Sequence, residues 1–131
     1  MIVVDSSVWI ANLRDLDTGA VRLLRSIADP DDILVGDLIL LEVLQGARSE
    51  AHAARIEAAL RQFHVEPMLD DALAAQAARD DRLLRAEGMT LGKTINLIIG
   101  SFCVARGHAL LHDDRDFALM AKHLGRRTLG A

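Results

Sequence analysis

A chain of 131 residues is long enough for one domain whose core buries roughly two-thirds of the surface the unfolded chain exposes. With 51% hydrophobic and 26% charged residues, its composition is globular and excludes a disordered chain. A formal net charge of −4 argues against broad, charge-driven adhesion to nucleic acid. It leaves room for a nuclease whose acidic pocket lowers the net charge while arginines line the approach.

Ile2–Val4 is short and β-branched, as a buried strand should be. Ser6 or Ser7 is then expected to cap a helix over Val8–Arg14, with a second amphipathic helix over Thr18–Ala28. Asp29–Asp32 around Pro30 is a turn, and Ile33–Val35 the next strand. Asp37 is the expected N-cap of a helix ending near Gly46, and Ser49 that of an Ala-rich helix to Gln62. His64–Glu66 is a weak strand stopped by Pro67. Asp70 caps a long helix through Ala86, which Gly88 ends. After a loop over Met89–Lys93 come an apolar helix, Thr94–Arg106, and a strand, Ala109–His112. A helix over Phe117–Leu124 and a last strand over Arg127–Leu129 complete the chain. Continuous apolar strands alternating with helices predict one α/β domain, residues 1–131, with a parallel sheet covered on both faces.

Carboxylates stand where these apolar runs end or are interrupted. Asp5 follows the first strand, and Asp113, Asp114 and Asp116 follow Ala109–His112. Both groups belong at the carboxyl edge of a parallel sheet, where open α/β sheets bind ligands. Glu42 lies within Leu38–Leu44, a helix apolar nearly all round and therefore expected to be buried, so its carboxylate should face a polar cavity or a partner. Asn96 sits similarly, between Ile95 and Leu97–Ile99. Each has an ordinary alternative: Asp5 ending a strand, Asp113–Asp116 forming a turn and helix cap, Asn96 a satisfied core amide. Their joint occurrence is harder to assign to chance. Repelling carboxylates are tolerated when a cation neutralises them, and hard oxygen ligands favour Mg²⁺ or Mn²⁺ over zinc. Metal-dependent phosphodiester hydrolysis is the chemistry this pattern suggests.

The segments Ile2–Ile10, Leu41–Gly46, Gly88–Thr90, Lys93–Asn96 and His108–Phe117, in this order and spacing, resemble the PIN-domain ribonucleases, and most closely the VapC-type toxins of toxin–antitoxin modules. The resemblance implies a five-stranded parallel sheet and an active site at Asp5, Glu42, Asp114 and Asp116. Asp5 and Asp114 would be the direct metal ligands, with Glu42 and Asp116 holding metal-bound water or a second ion. Ser6 would steady the acids, and Asp113 would have a supporting role. Asn96 stands where such proteins carry an acidic ligand, usually aspartate, so this chain is expected to be a weakened or inactive form. A toxic enzyme is easier to produce with one ligand neutralised, which favours a deliberate substitution there over natural variation. The resemblance further implies a structured RNA substrate such as tRNA or rRNA, a VapB-like antitoxin and a homodimer. A PIN-fold module that binds antitoxin or RNA without cutting is the alternative.

The remaining signals are less specific. His52, His64, His108, His112 and His123 form no compact ligand motif, and Gly88 and Gly92 no dinucleotide fingerprint. Asp114-Arg115-Asp116 resembles the Asp-x-Asp of aspartate-nucleophile phosphatases, but that pair belongs after a first strand. Arg14, Arg48, Arg115 and Lys93 either rim the pocket or are solvated charges. Trp9, Phe102 and Cys103 are expected in the core. Leu13, Leu16, Val21 and Leu24 form a stripe for a partner helix or for internal packing. No apolar run reaches the roughly 18 residues of a membrane span, and Asp5 interrupts any leader-like stretch. With a lone cysteine, this gives the expectation of a soluble cytoplasmic protein.

Overall fold

Apolar strand sequence and parallel pairing go together here. A computed structural model describes residues 1–125 and 128–130. In it β1 (Ile2–Val4), β2 (Ile33–Gly36), β3 (His64–Glu66), β4 (Ala109–His112) and β5 (Thr128–Gly130) form one sheet in the order β3-β2-β1-β4-β5. Every pairing is parallel, with Ile2 opposite Ile33 on one side and Ala109 on the other. Val3 and Val4 of β1 and all of β2 and β4 are buried, as strands covered on both faces must be.

The helices are α1 (Ser6–Leu13), α2 (Gly19–Ser26), α3 (Asp37–Gln45), α4 (Glu50–Leu60), α5 (Asp71–Ala86), α6 (Thr94–Arg106) and α7 (Arg115–Leu124). The chain steps outward from β1 through β2 to β3, then crosses to β4 on the opposite side of β1. Right-handed crossovers place α1–α4 on one face and α5–α7 on the other. Packing agrees: α1 touches α2 and α3, and α3 touches α4, while α5, α6 and α7 touch one another. Val8, Trp9 and Ile39 fill the first layer, and Leu84, Phe102 and Phe117 the second. Trp9 and Phe102 are thus core residues, Trp9 stacking on Phe63 at a centroid distance of 5.4 Å. Cys103 is buried as expected.

Several sequence expectations are displaced. Neither Ser6 nor Ser7 caps α1; Asp5 does, and it thereby brings its carboxylate to the helix start. Asp37 is the first residue of α3, behind Gly36, and its Oδ1 accepts from the Met68 N–H at 3.1 Å. α7 begins at Arg115, two residues early, because Asp114 caps it. The last strand is Thr128–Gly130, and Arg127 lies outside the described residues. The Leu13, Leu16, Val21 and Leu24 stripe divides: Val21 and Leu24 enter the core, while Leu13 and Leu16 stay exposed.

Gly36 shows how tightly β2 meets its surroundings. A Cβ added there would lie 2.1 Å from the sulfur of Met68, a side chain only 1% exposed. Overpacking of this kind costs about 1–3 kcal/mol. Gly36→Ala should therefore lower the urea midpoint by that equivalent, whereas an unchanged midpoint would show that Met68 repacks freely.

Candidate active site

β1 is the point where the strand order reverses, so the crevice between the carboxyl ends of β1 and β4 is the place for a ligand in an open α/β sheet. The Asp5 N–H donates to the Leu111 carbonyl at 2.9 Å and fastens the two strand ends together. The Asp5 side chain is 2% exposed. Its Oδ2 accepts from the Ser7 N–H at 3.1 Å and the Ser7 hydroxyl at 2.6 Å. Its Oδ1 is buried with no hydrogen-bond partner among the described residues. Burial pushes the Asp5 carboxyl up from its ordinary pKa; the Ser7 bonds oppose this, and the negative charge of Asp114 adds to it. From sequence Ser7 is only an alternative helix cap, yet its hydroxyl also accepts from the Asp113 N–H at 3.3 Å, joining both acidic loops. The only sequence signal was a second hydroxyl beside Ser6.

Glu42 reaches the same crevice from α3. It accepts from the Ser6 hydroxyl at 3.1 Å, across 36 residues of sequence. Burial raises its pKa, the Ser6 bond lowers it, Asp5 and Asp114 raise it, and Lys93 lowers it. The expectation that α3 is buried all round is corrected. Ile39, Leu40 and Val43 are buried but Leu41 is 49% exposed, leaving Glu42 half-buried at the boundary. Helical geometry turns Leu41 away from Ile39, Leu40 and Val43 and sets Glu42 at the edge of their face.

The third group comes from α6 and α7. Asp114 caps α7, its Oδ1 accepting from the Asp116 N–H at 2.9 Å. Asp116 is buried, and the Gly92 N–H reaches both its oxygens at 3.0 and 3.1 Å. Asn96, 3% exposed, donates its amide Nδ2 to Asp114 Oδ2 at 3.3 Å and Asp116 Oδ2 at 3.0 Å. Only the N–H end of a carboxamide can face two carboxylates. Asp113 turns outward, supplying its backbone to Ser7. Asp5, Glu42, Asp114, Asp116 and Asn96 thus meet at one sheet edge, with Ser6, Ser7 and Gly92 in support.

Among the described residues, no three His, Cys, Asp or Glu side chains are gathered tightly enough to enclose an ion. Asp114 and Asp116 accept from N–H groups instead. The donor chemistry nevertheless fits a hard divalent cation: a buried, unpartnered Asp5 oxygen belongs to a group of carboxylates, with Glu42 and Asp114 near enough to act on one another's charge and no thiolate among them. Grooves of about 380 and 400 Å³ flank the site without being lined by its acids. Lys93 borders the first; Arg14, Arg48 and His52 border the second. Of the four expected rim cations, Lys93 is the one whose charge acts on Glu42.

The raised Asp5 pKa has a definite consequence for the metal-free protein. Folded Asp5 holds its proton more tightly than unfolded Asp5, so its favourable contribution is complete below the unfolded pKa. That contribution disappears as pH rises through the folded pKa, and Glu42 acts in the same sense. In EDTA, melting between about pH 4 and 8 should show a smaller loss of stability with rising pH for Asp5→Asn than for the parent. Equal slopes would show that Asp5 is not the group responsible.

Comparison with known proteins places this geometry. The PIN domain family model matches residues 2–123. The fold is shared with the crystal structures of FitAcB from Neisseria gonorrhoeae and VapBC2 from Rickettsia felis bound to a promoter DNA fragment. The FitAcB match has 15% identity and a TM-score of 0.76, covering 99% of this chain and 97% of the other. The VapBC2 match has 14% identity and a TM-score of 0.78, covering 98% of each chain. Mycobacterium tuberculosis VapC20, described as a Sarcin-Ricin loop cleaving toxin, matches over all of both chains at 20% identity with a TM-score of 0.72. The parallel sheet, the acids at its reversal point and a family match over nearly the whole sequence lead to one assignment: this chain belongs to the PIN domain family.

Proposed function

We propose that this protein is a VapC-type endoribonuclease toxin, dependent on Mg²⁺ or Mn²⁺, whose activity is weakened by Asn96. The observation that carries the reading is Asp5: a buried carboxylate with one oxygen unpartnered, held at the β1–β4 crevice beside Asp114 and Glu42. Similarity to a toxin that cleaves the sarcin-ricin loop supports a structured RNA substrate, tRNA or rRNA. Similarity to FitAcB and VapBC structures supports a VapB-like antitoxin as partner. A homodimer is our proposal for the working assembly.

Asp5, Asp114, Glu42 and Asp116 would hold the divalent cation, which supplies activation of water and stabilisation of charge on the phosphoryl group, while Asn96, at the position of an expected acidic ligand, holds Asp114 and Asp116 through its amide. Ser7 and Ser6 orient Asp5 and Glu42 respectively. Glu42, raised by burial and half-exposed, orients water and is the carboxylate suited to take its proton. Lys93 offsets negative charge near Glu42 when an RNA phosphate approaches.

Asn96 itself favours a second reading, a PIN-fold module that binds antitoxin or RNA without cleavage. Incubating purified protein with tRNA and rRNA fragments separates them. Slow cleavage that requires Mg²⁺ or Mn²⁺ and disappears in Asp5→Ala supports the nuclease. RNA binding without cleavage, in both this chain and Asn96→Asp, supports the module and overturns the nuclease.

A further inference from the structure

Asn96 has a second property besides the charge it lacks. It lies on α6 among Ile95, Leu97 and Ile99, where a polar side chain requires partners to be buried. Its two amide hydrogens meet two acceptors, Asp114 Oδ2 and Asp116 Oδ2. Asp116 also receives the Gly92 N–H from the loop leading into α6. One connected set of hydrogen bonds therefore ties that loop, α6 and the start of α7 to both acids. In a carboxylate cluster that tying is ordinarily electrostatic work for a cation, since the acids repel one another.

We propose that the Asn96 carboxamide takes over the structural work of a cation in this acidic site, bracing Asp114 against Asp116 so that the fold is independent of divalent metal. The inference rests on the reading of this edge as a cation site. An aspartate at position 96 has no hydrogen to donate when ionised, and it would add a third negative charge beside buried Asp116 and half-buried Asp114. The fold would then be coupled to metal by mass action, because a cation bound only by the native state stabilises that state.

Thermal melting in EDTA and in millimolar MgCl₂ tests the proposal. The parent chain should gain little from Mg²⁺, no more than about 2 °C, while Asn96→Asp should melt roughly 5–10 °C lower in EDTA and recover with Mg²⁺. Asn96→Ala, which loses the brace without gaining a charge, should melt lower than the parent in EDTA and recover less with Mg²⁺ than Asn96→Asp does. An Asn96→Asp/Asp114→Asn double variant removes one repelling charge and should regain much of the EDTA melting temperature, even if the single variant does not fold without metal. An EDTA melting temperature for Asn96→Asp equal to the parent's overturns the proposal. So does a parent stabilised by Mg²⁺ as strongly as Asn96→Asp, or a double variant no better than the single. RNA cleavage by Asn96→Asp with unchanged melting would sink the brace and keep the nuclease. Metal-coupled melting without cleavage would do the reverse.

Discussion

Asn96→Asp should raise divalent-dependent RNA cleavage on the order of 100-fold. The carboxamide preserves the shape of an aspartate and one carbonyl oxygen but removes a full charge from the acid cluster. A charge pair about 4 Å apart is worth roughly 4 kcal/mol at an effective dielectric of 20. Amide ligation and water recover part of that, leaving about 3 kcal/mol, which corresponds to a rate factor on the order of 100. Here Asn96 points its N–H groups at Asp114 and Asp116, so a donor occupies the side from which an anionic ligand would act. The effect should fall on the chemical step. Single-turnover cleavage in Mg²⁺ should accelerate while RNA affinity in Ca²⁺ or EDTA changes little. Unchanged single-turnover rates would remove Asn96 as the cause of weak activity. The gain has a counterpart in stability, since the same carboxylate loses the brace between Asp114 and Asp116. Activity and metal-free stability should therefore move in opposite directions at this position.

The strands were legible because a parallel sheet buried on both faces requires unbroken apolar runs; Ile33–Gly36 and Ala109–His112 fall where those runs do. Caps were read well where one polar residue preceded a helix, as at Ser49 and Asp70. They were misread where several candidates stood together. At Asp5-Ser6-Ser7 and Asp113-Asp114, hydrogen bonding in three dimensions decides which side chain turns to the helix start. Composition misled at α3: a residue among six apolar neighbours looked enclosed, while the turn of the helix carried Leu41 out to solvent and Glu42 to the edge of the buried face. The positions of the acids were visible in the sequence, but their supports were not. The Ser7 hydroxyl meets the Asp113 backbone across 106 residues, and Gly92 meets Asp116 across 24. Such contacts depend on the parallel order that sets β4 beside β1, which no local pattern records. Asn96 was found as an exception to an acidic pattern; its double hydrogen bond required the packing of α6 against α7.

Asp5→Asn, made in the active Asn96→Asp background, should lower cleavage by about 1,000-fold and yet raise stability in EDTA at neutral pH. The rate loss follows from deleting the charge at the centre of the site, again roughly 4 kcal/mol at short range, or about three orders of magnitude. The stability gain follows from the environment of that charge. Asp5 Oδ1 is buried without a partner, and burial with the nearby Asp114 charge already drives the carboxyl towards its neutral form. An asparagine keeps an oxygen for the two Ser7 bonds and presents an amide on the side now held by the unpartnered oxygen. A residue placed for packing alone would lose stability when changed. One retained against a stability cost, whose neutralisation strengthens the fold while removing the chemistry, is held there by function. Urea unfolding and cleavage rates measured on the same preparations decide the matter. A variant that is less stable in EDTA, or one that cuts RNA at the rate of its parent, would mean that Asp5 is a strand-end cap and that the catalytic charge lies elsewhere.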